Sequence, residues 1–277
     1  MTEGSGPWTI LAILNWSTDF LRRKGVDSPR TDVEVLMAAA LGLKRIDLYI
    51  RFDQLPPQDA VDRFRAMLLR RGKREPVSHI LGRREFYGLE FAVDRRVLTP
   101  RPETEHLVDL AKSALADVES PKVADIGTGS GIIAVCVALS CPKATVVASD
   151  ISADALAVAR ANVTARKVAD RVRLVKADMF ESPDLAGPFD AILSNPPYIP
   201  EGDRQKLEPE VANYEPACAL FSGADGLDAV RRLVSGARSR LVPGGLLAFE
   251  IGYGQSEAVH DLRSEEHTSE LQSRQSI

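Results

Sequence analysis

Asp125-Ile126-Gly127-Thr128-Gly129-Ser130-Gly131 is the stretch that decides the fold. A strand-like run over Lys122–Ile126 enters it, and an apolar run from Gly131 to Ser140 leaves it at helical length. Glycine lets the backbone turn tightly and lets a ligand come close with no side chain in the way. The spacing is GxGxG rather than the GxGxxG of dinucleotide binders, and no Gly-Lys-Ser/Thr of a phosphate-binding loop follows. Taken alone, such a turn is also compatible with a plain structural bend.

Downstream the rhythm repeats. Strands are predicted at Ala144–Ser149, Arg171–Ala177 and Phe189–Ser194, ending at Asp150, Asp178 and Asn195. A helix over Ala153–Lys167 separates the first two. After a long loop to about Gly226 come a helix to Leu241 and a strand at Gly245–Ile251. Alternation of this kind predicts an α/β fold, a mostly parallel Rossmann-like sheet with helices on both faces. Ligands bind such sheets at the carboxyl ends of the strands. The glycine turn, Asp150, Asp178 and Asn195 all fall there. Asp150, nineteen residues after Gly131, is placed to accept ribose hydroxyls. The competing reading of Asp150 is a helix N-cap, for which Ser152 is a second candidate. Asp178 could equally cap its loop.

Asn195-Pro196-Pro197-Tyr198 carries the chemistry. Proline fixes φ and has no N–H, so this segment offers hydrogen-bond acceptors with no competing backbone donor. Such a row suits a planar –NH2 group held in one orientation, a substrate for methylation. No Ser/His/Asp or Cys/His constellation and no metal-ligand spacing accompanies it. His79 and His106 read as structural or exposed.

Upstream, Trp8–Lys24, Asp32–Leu43 and Gln58–Arg74 read as helices, with Ser28-Pro29 as a cap and first-turn proline. Residues 84–93 read as a hairpin between two domains, and Pro102–Val118 as a further helix. The expected organisation is a helical substrate-recognition domain at 1–80, a hairpin linker at 81–101 and a cofactor domain at 102–262.

The 277 residues carry a net charge of −4, 44% hydrophobic and 27% charged residues, ordinary for a globular protein. Residues 1–105 hold 18 basic against 15 acidic side chains and the remainder 17 against 24, so the front is only mildly basic. Nucleic-acid binders show denser basic patches. No apolar run reaches bilayer length, and no signal peptide is read at the N-terminus. Cys136, Cys141 and Cys218 show no CxxC pairing, and a cytoplasmic location is expected. Residues from about Arg263 onward are polar, lack periodicity and are expected to be non-native.

Asp125–Gly131, Asp150 and Asn195–Tyr198 resemble the motifs of class I S-adenosylmethionine-dependent methyltransferases acting on amino groups. Phe86–Phe91, Val97–Glu105, Tyr214-Glu215-Pro216 and Asp225-Gly226-Leu227 are similar, in the same order, to the PrmC/HemK family. That family methylates a glutamine side-chain amide (N5) in peptide chain release factors, an act of protein methylation in translation termination. The resemblance covers about residues 8–262. It implies S-adenosyl-L-methionine as cofactor, with Gly127, Thr128, Gly129, Ser130 and Gly131 around its methionine and ribose part. It implies Asp150 on the ribose, Asp178 and Met179 along the adenine, and Asn195 touching both cofactor and substrate. Pro196, Pro197 and Tyr198 would meet the substrate glutamine. The segment Thr99–Glu105 would either close over the site or cap the helix behind it.

The resemblance further implies a release factor as partner, with no stable nucleic-acid binding, membrane or metal. A final β-hairpin found in the family is expected to be missing here. That would leave Leu246, Leu247, Ala248 and Phe249 near an exposed edge strand and the chain poorly soluble or inactive. Alternatives are methylation of a ribosomal-protein glutamine or of adenine N6, a cofactor-binding module without catalysis, and a nicotinamide dehydrogenase.

Overall fold

In the computed structural model, residues 8–265 are described. They fall into two compact units, with the boundary between Gly82 and Arg83.

The first unit is helical: α1 (Ile10–Arg23), α2 (Pro29–Leu41), α3 (Arg45–Ile50), α4 (Gln58–Arg71) and α5 (Val77–Leu81). Thr9 caps α1 by accepting from the Ala12 N–H at 3.3 Å. Pro29 opens α2, but the Ser28 side chain makes no cap bond; the α2 stop is Gly42, at φ +66°. Leu14, Leu21, Leu36, Met37, Phe64 and Leu68 form its core. Glu34 is buried beside that core. Burial disfavours its charge, yet the Tyr49 hydroxyl, Arg45 and Arg30 hold its pKa below the usual value.

The second unit opens with an antiparallel hairpin, β1 (Arg83–Phe86) and β2 (Leu89–Ala92). A 3-10 turn (Pro102–Thr104) leads into α6 (Glu105–Ala114). Then follow β3 (Lys122–Ile126), α7 (Ile132–Ser140), β4 (Thr145–Asp150), α8 (Ala153–Ala165), β5 (Val172–Lys176) and β6 (Phe189–Ser194). The described residues end with α9 (Pro209–Tyr214), α10 (Asp228–Arg238), β7 (Leu241–Phe249) and α11 (Ser256–Glu265). The sheet order is β5-β4-β3-β6-β7, with every pairing parallel.

Strand periodicity sorts the side chains to two faces. Val123, Val146, Ala148 and Leu193 pack towards α7 and α6, whereas Ala124, Ile126 and Ile192 meet Val230, Leu233 and Val234 of α10. Ile132 to Ala138 are all buried, which is why α7 reads as an unbroken apolar run. After β3 the chain winds to β4 and β5 on one side, then returns to β6 and β7 on the other. Such a reversal opens a crevice beyond the carboxyl ends of β3 and its neighbours.

Three expectations change. The hairpin expected as a linker belongs to the sheet unit, because Phe86 and Phe91 are buried in its core beside Leu107 and Val108. The fifth strand of the sheet begins at Leu241 rather than Gly245. It lies at a sheet edge, but its apolar side chains are covered: Leu247 and Ala248 are buried, and Leu246 and Phe249 are half-buried against the two cores. Of the tail expected to be non-native from about Arg263, residues 263–265 continue α11 and the rest lies outside the described residues.

Candidate active site

The glycine turn is pinned from below by Asp125. Its fully buried carboxyl accepts at Oδ2 from the Thr128 hydroxyl at 2.6 Å and from the Ala134 N–H at 3.1 Å. Desolvation dominates and pushes its pKa up to about 7. The Thr128 N–H reaches the Ser149 carbonyl at 2.8 Å, which ties the turn to the end of β4. Gly131 sits at φ +79°, and a Cβ there would lie 3.0 Å from the Ala159 Cβ of α8. Asn162 of α8 donates to the Ser130 carbonyl at 2.8 Å and to the Ala92 carbonyl at 3.0 Å, joining turn and hairpin.

Asp150 closes the loop from the other side. Its Oδ2 accepts from the Gly129 N–H at 2.9 Å and its Oδ1 from the Ser152 N–H at 2.8 Å. Burial raises its pKa against the pull of these two donors. Ser152, not Asp150, is the N-cap of α8: its hydroxyl accepts from the Ala155 N–H at 3.2 Å. Asp178 pairs with Arg232 of α10 at 3.0 Å, and Met179 beside it turns at φ +49°.

These elements surround one cleft of about 390 Å³. Gly127, Thr128, Gly129, Ser130, Asp150, Asp178, Met179, Asn195 and Pro197 line it. Gly131, Pro196 and Tyr198 do not: Gly131 packs on Ala159 and Pro196 is buried. The half-buried Tyr198 phenol has its pKa raised by burial and by Glu250, with Arg101 opposing. A Cβ placed on Gly127 or Gly129 would meet nothing within 4 Å, so both glycines border open cleft rather than protein. With the carboxylate of Asp150 beside them, they fit a nucleoside-bearing cofactor.

Asn195 follows β6 at the rim. Its Nδ2 donates to the Thr104 hydroxyl at 3.2 Å. Its Oδ1 is buried with no donor. A buried carbonyl oxygen left this way is costly unless something supplies a hydrogen.

The structure adds residues that the sequence pattern did not single out for a role. Glu215 is buried and receives Arg101 at 2.8 and 3.0 Å, so the 99–105 segment is tied to the loop after α9. Gln255 donates to the carbonyls of Tyr198 at 3.0 Å and Asp225 at 3.3 Å, while its Oε1 accepts from the Gly252 N–H at 2.7 Å. Thr104 accepts from Asn195, and the Glu250 N–H donates to the carbonyl of Ser194, the residue before Asn195. The only sequence signal for these was membership of family-like motifs for Arg101, Thr104, Glu215 and Asp225; Glu250 and Gln255 carried none.

A family model described as the PrmC N-terminal domain matches residues 12–82, and one described as the methyltransferase small domain matches residues 104–211. The release factor glutamine methyltransferase of Rhodopirellula baltica is 46% identical over 254 residues, covering 90% of this chain and 86% of that protein. That of Geobacter sulfurreducens is 44% identical over 259 residues, covering 94% and 89%. Among solved structures, the hMettl16 catalytic domain in complex with an RNA hairpin from the MAT2A 3'UTR superposes with a TM-score of 0.54 at 16% identity, covering 75% of this chain and 73% of that one; this likeness concerns the fold. The chain belongs to the release factor glutamine methyltransferase family.

Proposed function

We propose that this chain transfers a methyl group from S-adenosylmethionine to the side-chain amide nitrogen of a glutamine in a peptide chain release factor. The observation that carries the reading is the Asn195 Oδ1, a buried acceptor with no donor at the rim of the cleft. A primary amide supplies the missing hydrogen.

Bound cofactor supplies an electrophilic sulfonium methyl, so the nitrogen gains the N–C bond as the S–C electron pair returns to sulfur. The residues proposed to hold the cofactor are Gly127 to Gly131, Asp150, Asp178, Met179 and Asn195. The chain's own task is orientation. An amide nitrogen is a poor nucleophile because its lone pair is delocalised into the carbonyl. Asn195 Oδ1 takes one amide hydrogen, and the Pro196 carbonyl is proposed to take the other. Pro196 and Pro197 add no N–H that could turn the substrate amide around. Both acceptors gain strength as positive charge develops on nitrogen, after which a proton leaves to solvent. Holding the group in line is worth up to roughly 7–11 kcal/mol in favourable cases. Tyr198 is proposed to contact the substrate from the loop that Gln255 fixes. The N-terminal helical unit, with Ile46, Tyr49 and Ile50 of α3 and Phe52 and Leu55 of the segment after it exposed, is proposed to hold the protein substrate.

The test is methyl transfer from labelled S-adenosylmethionine to a bacterial release factor, beside a copy with the target glutamine changed to alanine and an adenine-containing oligonucleotide. Label on the first alone is expected. Label on the oligonucleotide alone would overturn the reading.

A further inference from the structure

Pro196 and Pro197 have no N–H, so they cannot tie the acceptor row Asn195–Tyr198 to a neighbour by donating. The row is set by what holds its two ends. At the first, Ser194 of β6 pairs with Phe249 of β7, and the Glu250 N–H donates to the Ser194 carbonyl at 3.1 Å. At the second, Gln255 Nε2 donates to the Tyr198 carbonyl at 3.0 Å. The next residue, Ile199, bridges to the 220–222 segment: its N–H donates to the Leu220 carbonyl at 2.9 Å, and its carbonyl accepts from the Ser222 N–H at 3.0 Å.

Gln255 does more than close that end. Its Nε2 also donates to the Asp225 carbonyl at 3.3 Å, and its Oε1 accepts from the Gly252 N–H at 2.7 Å. A side-chain amide carries its hydrogens on nitrogen and its lone pairs on oxygen. All three partners fit one orientation; flipped, the oxygen would face two carbonyls and the NH2 an N–H. Two glycines let the backbone come this close. Gly226 is buried at φ +80°, and a Cβ there would run into the Tyr198 carbonyl and stand 2.8 Å from Gln255 Nε2. A Cβ on Gly252 would lie 2.9 Å from Gln255 Oε1 and 3.2 Å from Tyr198 Cδ2.

We propose that Gln255 is a positioning residue for methyl transfer: it locks the Tyr198 end of the acceptor row against the Gly226 backbone and so sets where the row meets the substrate amide. The inference rests on the transfer reading above. Gln255 does not line the cleft and acts through Tyr198. The glycine turn is held elsewhere, by Asp125, Asp150 and Asn162. Loss of Gln255 therefore displaces the substrate's acceptors and leaves the cofactor's cradle in place. The Asp225-Gly226-Leu227 motif gains a task as well: its carbonyl and its missing Cβ form the other half of the joint.

The experiment compares Gln255→Met, Gly226→Ala and Gly244→Ala in the full chain. Methionine keeps the length of the side chain and removes all three bonds. Gly244, at φ +76° with nothing within 4 Å of an added Cβ, carries similar backbone strain without the contact. The single-turnover rate at saturating release factor is expected to fall about ten- to a hundredfold in Gln255→Met and Gly226→Ala and to stay near wild type in Gly244→Ala. Cofactor Kd should stay within about twofold in all three. A second readout is independent of activity: the Tyr198 signal in a fluorine NMR spectrum of 3-fluorotyrosine-labelled protein, identified by its loss in Tyr198→Phe. It should shift in Gln255→Met and Gly226→Ala but not in Gly244→Ala. A folded Gln255→Met protein with the wild-type rate, an unmoved Tyr198 signal, or a cofactor Kd that rises in step with the lost rate would overturn the proposal. So would a Gly244→Ala variant as impaired as Gly226→Ala. Should wild-type protein leave the release factor unlabelled, the transfer reading fails while the fluorine signal still decides whether Gln255 sets Tyr198. Should Gly226→Ala not fold, Gln255→Met carries both readouts.

Discussion

The Arg101 guanidinium grips the Glu215 carboxylate with one nitrogen, at 2.8 and 3.0 Å from its two oxygens, across 114 residues of sequence. The Glu215 side chain is 2% exposed and that of Arg101 is 36% exposed. Burial raises the Glu215 pKa, and Arg101 opposes it. The contact anchors the 99–105 segment, which borders the cleft, to the loop that follows α9.

Arg101→Ala removes a charge-assisted hydrogen bond and leaves a buried carboxyl without its cation. Stability should fall by about 1.5–3 kcal/mol, read by denaturant unfolding. Without Arg101 the Glu215 pKa rises further, so the loss should shrink as pH falls and the carboxyl protonates. An equal loss at acid and neutral pH would contradict this account.

Asp150→Asn keeps the shape of the side chain but turns an NH2 towards either Gly129 or Ser152, both of which already donate. The loop loses one of its two ties. Cofactor Kd, measured by calorimetry, should rise about tenfold or more, equivalent to about 1.4 kcal/mol. The melting temperature should move little, because α8 keeps its Ser152 cap.

Asp125, with its pKa raised from 3.8 to about 7, binds more protons folded than unfolded between those values. Its contribution to stability is therefore present below about pH 4 and lost as pH rises through about 7. Asp125→Asn has no such titration. The stability difference between wild type and variant should change steadily from pH 4 to pH 7.5 in the variant's favour. A constant difference over that range would place the titration elsewhere.

Gly131→Ala puts a Cβ at φ +79° and 3.0 Å from the Ala159 Cβ. The conformation alone costs about 1–2 kcal/mol. Thermal unfolding should show at least that loss, and Ala159→Gly in the same chain should recover the part due to contact.

Much of this site was legible because parallel strands deliver their last residues to one edge. Asp150, Asp178 and Asn195 were found simply by locating strand ends, and the apolar run of α7 marked the helix behind the glycine turn. Polar contacts between distant segments leave no periodic trace. Asn195 and Thr104 are 91 residues apart, and Gln255 and Tyr198 are 57 apart. Neither spacing means anything until the sheet has formed. Short elements also escaped: α3 and α9 have six residues each and α5 has five, too few to display a helical period. The side chains of the edge strand looked uncovered in sequence because α6, which packs against it, lies far upstream in the chain.

The central claim is that Asn195 Oδ1 holds the substrate amide for transfer. It is tested most directly by single-turnover methylation of a release factor by Asn195→Ala, with cofactor binding and folding checked on the same sample. The rate should fall about a hundred- to a thousandfold, the range seen when one preorganised polar contact to a reacting group is removed. A folded, cofactor-binding Asn195→Ala protein that methylates the glutamine at close to the wild-type rate would contradict the account.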